Sequence, residues 1–188
     1  MKHLWIIIVI FLLLASVVAT TFVYLDFKTK EKLAAITNYE ECFEAGNIIQ
    51  ESYPPVCRTK DNRTFTEDIG NELEKMDIIM VSSPRPNQSI LSPLVISGQA
   101  RGAWFFEGSF VVKLRDTDGN ILAQGIAEAQ DEWMTTEFVP FFLTLSFEIP
   151  KAGKGELVLE KSNPSGLPEN ADALHIPIYF SNALQLLR

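Results

Sequence analysis

Phe141-Phe142-Leu143-Thr144-Leu145-Ser146-Phe147-Glu148-Ile149 places a large apolar residue at every second position, with mostly polar residues between. A period of two is the mark of a strand with one buried and one wet face. The pattern recurs on both sides of this stretch. Phe110, Val112 and Leu114 interleave with Val111, Lys113 and Arg115, and Leu157 and Leu159 lie between Glu156 and Glu160. Residues 78–81, 94–97, 121–127 and 174–180 are further short apolar runs. Turn formers punctuate them. Asp118-Gly119 is a hairpin signal, and Pro84, Pro86, Pro93, Pro150 and Pro164 fall where a missing N–H is tolerated. About seven short strands at this spacing predict an all-β, immunoglobulin-like antiparallel β-sandwich over residues 77–182.

Upstream of the sandwich the chemistry changes. Residues 4–25 carry no charge. That run is long enough for a helix to cross a hydrocarbon core of about 30 Å. Trp5 and Tyr24 stand near its ends, where amphipathic rings favour the interface. The run exceeds a typical cleaved leader, and Ala15 and Ala19 make a poor cleavage site, so a retained signal-anchor over 1–25 is expected. Cleavage would instead make the protein secreted. Lys28, Lys30 and Lys32 follow the run and compete with Lys2 in setting orientation. A long C-terminal domain translocates largely regardless of such flanking charge, so the expected topology is single-pass with the C-terminal domain extracytoplasmic. The organisation expected is an anchor (1–25), a charged stalk (26–37), a small cysteine-bearing module (38–69), a linker (70–76), the sandwich (77–182) and a tail (183–188).

Composition bounds the partners. The net charge is −8 over 188 residues. No basic face is available to release counterions from a phosphate backbone, which excludes nucleic acid. The two cysteines, Cys42 and Cys57, can form one local disulfide in an oxidising compartment. Two thiols without nearby His cannot close a tetrahedral metal site. No cofactor is expected.

The stretch Ile96-Ser97-Gly98-Gln99-Ala100-Arg101-Gly102-Ala103-Trp104-Phe105-Phe106-Glu107-Gly108-Ser109-Phe110 is followed by Val112, Leu114, the Asp118-Gly119 turn, Ala123, Gly125, Ala127, Phe141 and Phe147. Together these resemble the Gmad2 domain, the immunoglobulin-like domain associated with bacterial spore germination proteins. The resemblance covers residues 80–180, and its specific part is the Ser-Gly-x-Ala to Phe-Glu-Gly segment. It implies an extracytoplasmic module attached to an anchor or to other cell-surface domains, which supports the topology above. It brings no catalytic residues and no ligand. Residues 38–69 look like a small module seen beside such domains in bacterial envelope proteins. Within them, 53–65 resembles part of a Kazal-type protease inhibitor, a family that depends on three disulfides.

Candidate chemistry is sparse. His3 and His175 are the two histidines, and no Gly-x-Ser-x-Gly elbow is present. Asp116-Thr117-Asp118-Gly119-Asn120 has the look of a calcium loop, yet the expected strands on either side favour a hairpin turn. Trp104, Phe105 and Phe106 form an aromatic run, and Trp133 stands in a long loop. Each is either a plug for the sandwich or part of an exposed patch for a partner or glycan. The expectation is a membrane-anchored, non-catalytic binding or structural module of the bacterial cell envelope with a protein or cell-wall partner. The alternatives are an envelope hydrolase with an unrecognised carboxylate site, and a protease inhibitor acting through the Cys42–Cys57 segment.

Overall fold

The computed structural model describes residues 2–148, 150 and 153–181, with backbone alone over 2–12. Ile149, residues 182–188 and the side chains of Lys2, His3 and Trp5, which bear on the expectations above, lie outside the described residues. The chain forms two compact units, Met1–Glu67 and Asp68–Arg188.

The first unit begins with helix α1, Lys2–Ala34. Residues 26–33, expected as a stalk, continue this helix. Asp26–Lys30 and Lys28–Glu31 ion pairs, at helical spacing, carry it through the charged stretch. Leu13, Leu14, Val17, Val18, Phe22, Val23, Leu25 and Phe27 are exposed along it. Among the described residues, no helix is long and apolar enough to cross a membrane. The part of the uncharged run with described side chains is 13–25, shorter than the ~20 residues a span needs.

Arg63 closes the end of α1. Its guanidinium donates to the carbonyl of Leu33 in the last turn and to that of Ile36 just beyond the helix, the latter at 2.8 Å, a basic side chain placed at the helix C-terminus. Helix α2, Tyr39–Glu44, follows at once. Asn38 caps it by accepting from Glu41 N–H, and the Glu41 carboxylate reaches back to Thr37 N–H and hydroxyl. Strands β1 (Ile48–Gln50), β2 (Val56–Arg58) and β3 (Thr64–Thr66) form a small antiparallel sheet in that order. A Cys42–Cys57 disulfide joins α2 to β2. The core here is slight: Ile36, Cys42 and Cys57, flanked by Leu33, Tyr39, Ile49 and Phe65.

The second unit contains α3 (Glu72–Lys75) and strands β4 (Ile79–Ser83), β5 (Ser89–Ile90), β6 (Leu94–Arg101), β7 (Ser109–Asp116), β8 (Ile121–Ala129), β9 (Phe138–Leu145), β10 (Gly153–Glu160) and β11 (Ala173–Phe180). Every expected strand is present. Among the described residues all eight belong to one sheet, ordered β4-β6-β9-β8-β7-β10-β11-β5. The pairing between β8 and β9 is confined to Glu128↔Phe142 and Ala129↔Phe141. At that seam the sheet curls, so β4-β6-β9 and the remaining strands share one core. Ile79, Ile96 and Phe141 from one side join Phe110, Val112, Leu114, Leu157, Leu159, Ile176 and Ile178 from the other. The Phe110 and Phe141 rings meet edge to face at 5.0 Å.

The architecture departs from expectation in three places. The sheet is not wholly antiparallel, because β5 pairs parallel with Tyr179 and Phe180 of β11; two residues are too few for any alternation to be visible. Strand β9 ends at Leu145 rather than continuing to residue 149, and Phe147 N–H donates instead to Ser92 Oγ at 2.9 Å. Residues 70–76, expected as a linker, are built into the fold. Asn71 Nδ2 donates to Ala173 O, and Asn71 Oδ1 accepts from His175 N–H at 2.7 Å. Farther along β11, Asn87 N–H donates to Pro177 O and Tyr179 N–H donates to Gln88 O. These contacts cover an edge that β5 is too short to pair, and an open strand edge is a template for aggregation.

Candidate functional site

Strand β6 ends at Arg101, and the chain tightens into a 3-10 turn over Gly102–Trp104. A side chain at residue 102 would lie 2.1 Å from Thr135 O and 2.2 Å from Trp133 O, so glycine lets the 130–137 loop lie against the turn. Trp104 is fully buried and Phe105 nearly so, with the Phe105 ring 5.4 Å from Phe110. Both plug the core. Of the two expectations for them, plug or exposed partner-binding patch, they meet the first, because the 3-10 turn rotates them inward beneath the 130–137 loop.

Phe106 turns the other way. Phe106 N–H donates to Ser109 O and Ser109 N–H to Phe106 O, closing a two-residue hairpin with Glu107 at φ 51° and Gly108 at φ 73°. That is the primed turn that suits strand twist. It holds the Phe106 ring 45% exposed. Trp133 is half-buried, packed on the core and against Gly108, while its neighbour Met134 is 74% exposed. The four aromatics therefore divide between the two readings, and of them only Phe106 offers an open ring.

That ring lines an open groove of about 910 Å³. The register explains the depression. Val111 on β7, Glu160 on β10 and Ala173 on β11 are direct cross-strand neighbours on the outer face. Two of these side chains are short, and short side chains in one row leave a trough. Asn71, Glu74 and Lys75 contribute from the α3 side, Phe106 from the β7 side, and residues 161–164 close one end. The end loop is pinned beside the Phe106 turn by Ser162, whose N–H donates to Trp104 O and whose hydroxyl donates to Ser109 O at 2.7 Å. Lys75 pairs with Asp172 at 2.6 Å, and Glu160 takes Lys113 at 2.6 Å. His175 faces Glu156 through Nδ1 at 3.0 Å. Among the described residues, no group of three or more His, Cys, Asp or Glu side chains is placed to hold a metal ion.

Residues 78–166 match the family model described as the immunoglobulin-like domain of bacterial spore germination. This part of the chain is a Gmad2 domain. The match ends before β11, short of the residue 180 reached by the sequence resemblance. No curated protein and no solved structure matches the chain.

Within the Gmad2 domain the specific motif is largely a packing record. Ile96, Ala100, Gly102, Trp104, Phe105 and Phe110 are buried, while Ala103, Phe106 and Glu107 are exposed. Most groove residues lie outside the motif, at 71–75, 160–164 and 171–175. Sequence reasoning missed them. Their polar character was visible, but their meeting depends on β7, β10 and β11 being neighbours.

The Asp116–Asn120 segment is a hairpin turn. Asp116 accepts from Asp118 N–H, Asn120 N–H and Asn120 Nδ2, so the turn's own donors occupy its carboxylate. The Asn120 side-chain amide first, then the backbone donors, hold this exposed carboxyl below its usual range. A depressed folded-state pKa stabilises above the unfolded value, near 4, and the stabilisation is lost as pH falls through the folded value. Asp116→Ala should therefore lower the thermal midpoint at pH 7, with the difference from the parent shrinking in acid. Added calcium should shift neither midpoint. A calcium-dependent rise in the parent melting curve would contradict this reading.

Proposed function

We propose that this chain is a non-catalytic module of the bacterial cell envelope, held to a membrane by its N-terminal helix, with the Gmad2 domain extracytoplasmic and a partner seated in the groove beside Phe106. The observation that carries the proposal is the exposed apolar surface of α1. Leu13, Leu14, Val17, Val18, Phe22, Val23, Leu25 and Phe27 are all exposed on a helix whose uncharged run begins at residue 4. A helix apolar on all sides is unfavourable in water and favourable in lipid. Ser16, Thr20 and Thr21 turn their hydroxyls back to helix carbonyls, as a nonpolar surrounding requires. The disulfide supports an oxidising compartment for the residues that follow.

The geometry of the groove favours binding over turnover. The groove is wide, shallow and mixed in polarity, and no Ser or Cys nucleophile hydrogen-bonds His175 among the described residues. The test is protease shaving of intact cells, with the chain followed by immunoblot through membrane pelleting and alkaline carbonate washing. The expected result is full-length chain retained in the washed membranes and the Gmad2 domain digested from outside. Release into the carbonate wash, or protection that persists after the outer layers are permeabilised, would remove the anchored-envelope reading.

A further inference from the structure

We propose that the groove is a saccharide site that takes a short, uncharged oligosaccharide segment; this rests on the binding-module reading and names the ligand class of the same site. The chemistry of the groove selects for it. The floor sets the short side chains of Val111 and Ala173 on either side of Glu160, whose carboxylate is held by Lys113, and the Phe106 ring stands exposed at one side. A pyranose ring has an apolar C–H face that packs on such a ring and a rim of hydroxyls, each both donor and acceptor.

The rim of the groove offers donors and acceptors interleaved. Lys161 makes no side-chain hydrogen bond or ion pair among the described residues. Glu74 likewise presents an uncommitted carboxylate on the α3 side. His175 spends Nδ1 on Glu156 and leaves Nε2 open. Hydroxyls that donate and accept satisfy such a mixed rim, whereas a ligand of one charge does not. A polyanion would face Glu74, Glu160 and Asp172 as well as the lysines, and a polycation would face Lys75 and Lys161. A volume of about 910 Å³ lies in the range of small-ligand sites.

The test uses the full chain in lipid nanodiscs. It is titrated with a tetramer of β-1,4-linked N-acetylglucosamine, a neutral glucose tetramer, poly(glycerol phosphate), and an acidic and a basic peptide. At least one neutral saccharide should bind, with little dependence on salt, since no net ligand charge is screened. Phe106→Ala should weaken that binding by roughly tenfold, as expected for removal of an aromatic anchor. Phe106→Trp should retain it, and Lys161→Gln should weaken it less than Phe106→Ala. Met134→Ala, an exposed apolar change outside the groove, should leave it unchanged. Thermal melts of each variant confirm an intact fold. Binding of neither saccharide overturns the proposal, as does binding that ignores Phe106→Ala. A response confined to poly(glycerol phosphate) or a peptide overturns it as well. The two readings fail separately. A domain digested from outside the cell that ignores both saccharides loses the ligand class alone, while one sealed in the cytoplasm loses the envelope role whatever the titration gives.

Discussion

Trp104→Ala should lower the unfolding free energy of the Gmad2 domain by about 3–5 kcal/mol, whereas Phe106→Ala should change it by less than about 1 kcal/mol. The two residues are separated by a single position in one aromatic run, yet Trp104 is 0% exposed and Phe106 45%. Removing the indole leaves a cavity where β6 hands over to β7, in a core that also receives Phe105, Phe110 and Phe141. Close-packed interiors relax only in part around such a void, so lost transfer energy and cavity cost add. The indole Nε1 makes no hydrogen bond among the described residues. Trp104→Phe should therefore lose volume without orphaning a partner, and cost clearly less than Trp104→Ala. Hydrogen exchange across β6, β7 and β9, followed through a denaturant series, is the suitable measurement, because Trp fluorescence itself changes in the variant. Similar losses for Trp104→Ala and Phe106→Ala would mean that the aromatic run is not divided between core and groove.

Breaking the Cys42–Cys57 disulfide should unfold the cysteine-bearing part of the first unit and leave the Gmad2 domain intact. The bond closes a loop with a sequence separation of 15, and chain entropy assigns such a loop about 3 kcal/mol. Against that stands a core of three buried residues, two of them the cysteines themselves. Segments this small seldom hold a fold by apolar burial alone. The Arg63 contacts to the end of α1 depend on β3 remaining in place, so they should fall with the sheet. The Cys42→Ser/Cys57→Ser variant, or the parent in reductant, should show rapid amide exchange and new protease cuts within residues 38–67. Protection in β6 to β11 should be unchanged. Loss of protection in both units together would show that they fold as one, and loss in neither would show that the small sheet stands without its covalent tie.

Much of this molecule was legible from residue spacing. The seven longer strands follow from alternation, since a curled sheet buries one face of each strand and wets the other. Phe110, Val112 and Leu114 point in, and Val111, Lys113 and Arg115 point out, as the pattern of residues 109–116 requires. The pairing of Cys42 with Cys57 needed no structure once only two cysteines were counted. The same spacing was silent where an element was too short or was held by side chains. Ser89–Ile90 has no alternation to display, and residues 70–76 resemble a linker until Asn71 is seen bonded to β11. The charged stretch after residue 25 resembled a stalk because polarity alone does not distinguish a solvated helix from a coil. Its i,i+3 and i,i+4 ion pairs do.

The division among the aromatics lay beyond sequence for a different reason. Trp104, Phe105 and Phe106 have similar chemistry, and their fates depend on backbone direction across a 3-10 turn and a primed hairpin. Local sequence thus determined the strands, the disulfide and the Gmad2 match, because each rests on periodicity, composition or a contiguous motif. Only the tertiary structure decided the groove, because strand order makes Val111, Glu160 and Ala173 neighbours across a sheet, and no local pattern encodes which strands lie side by side.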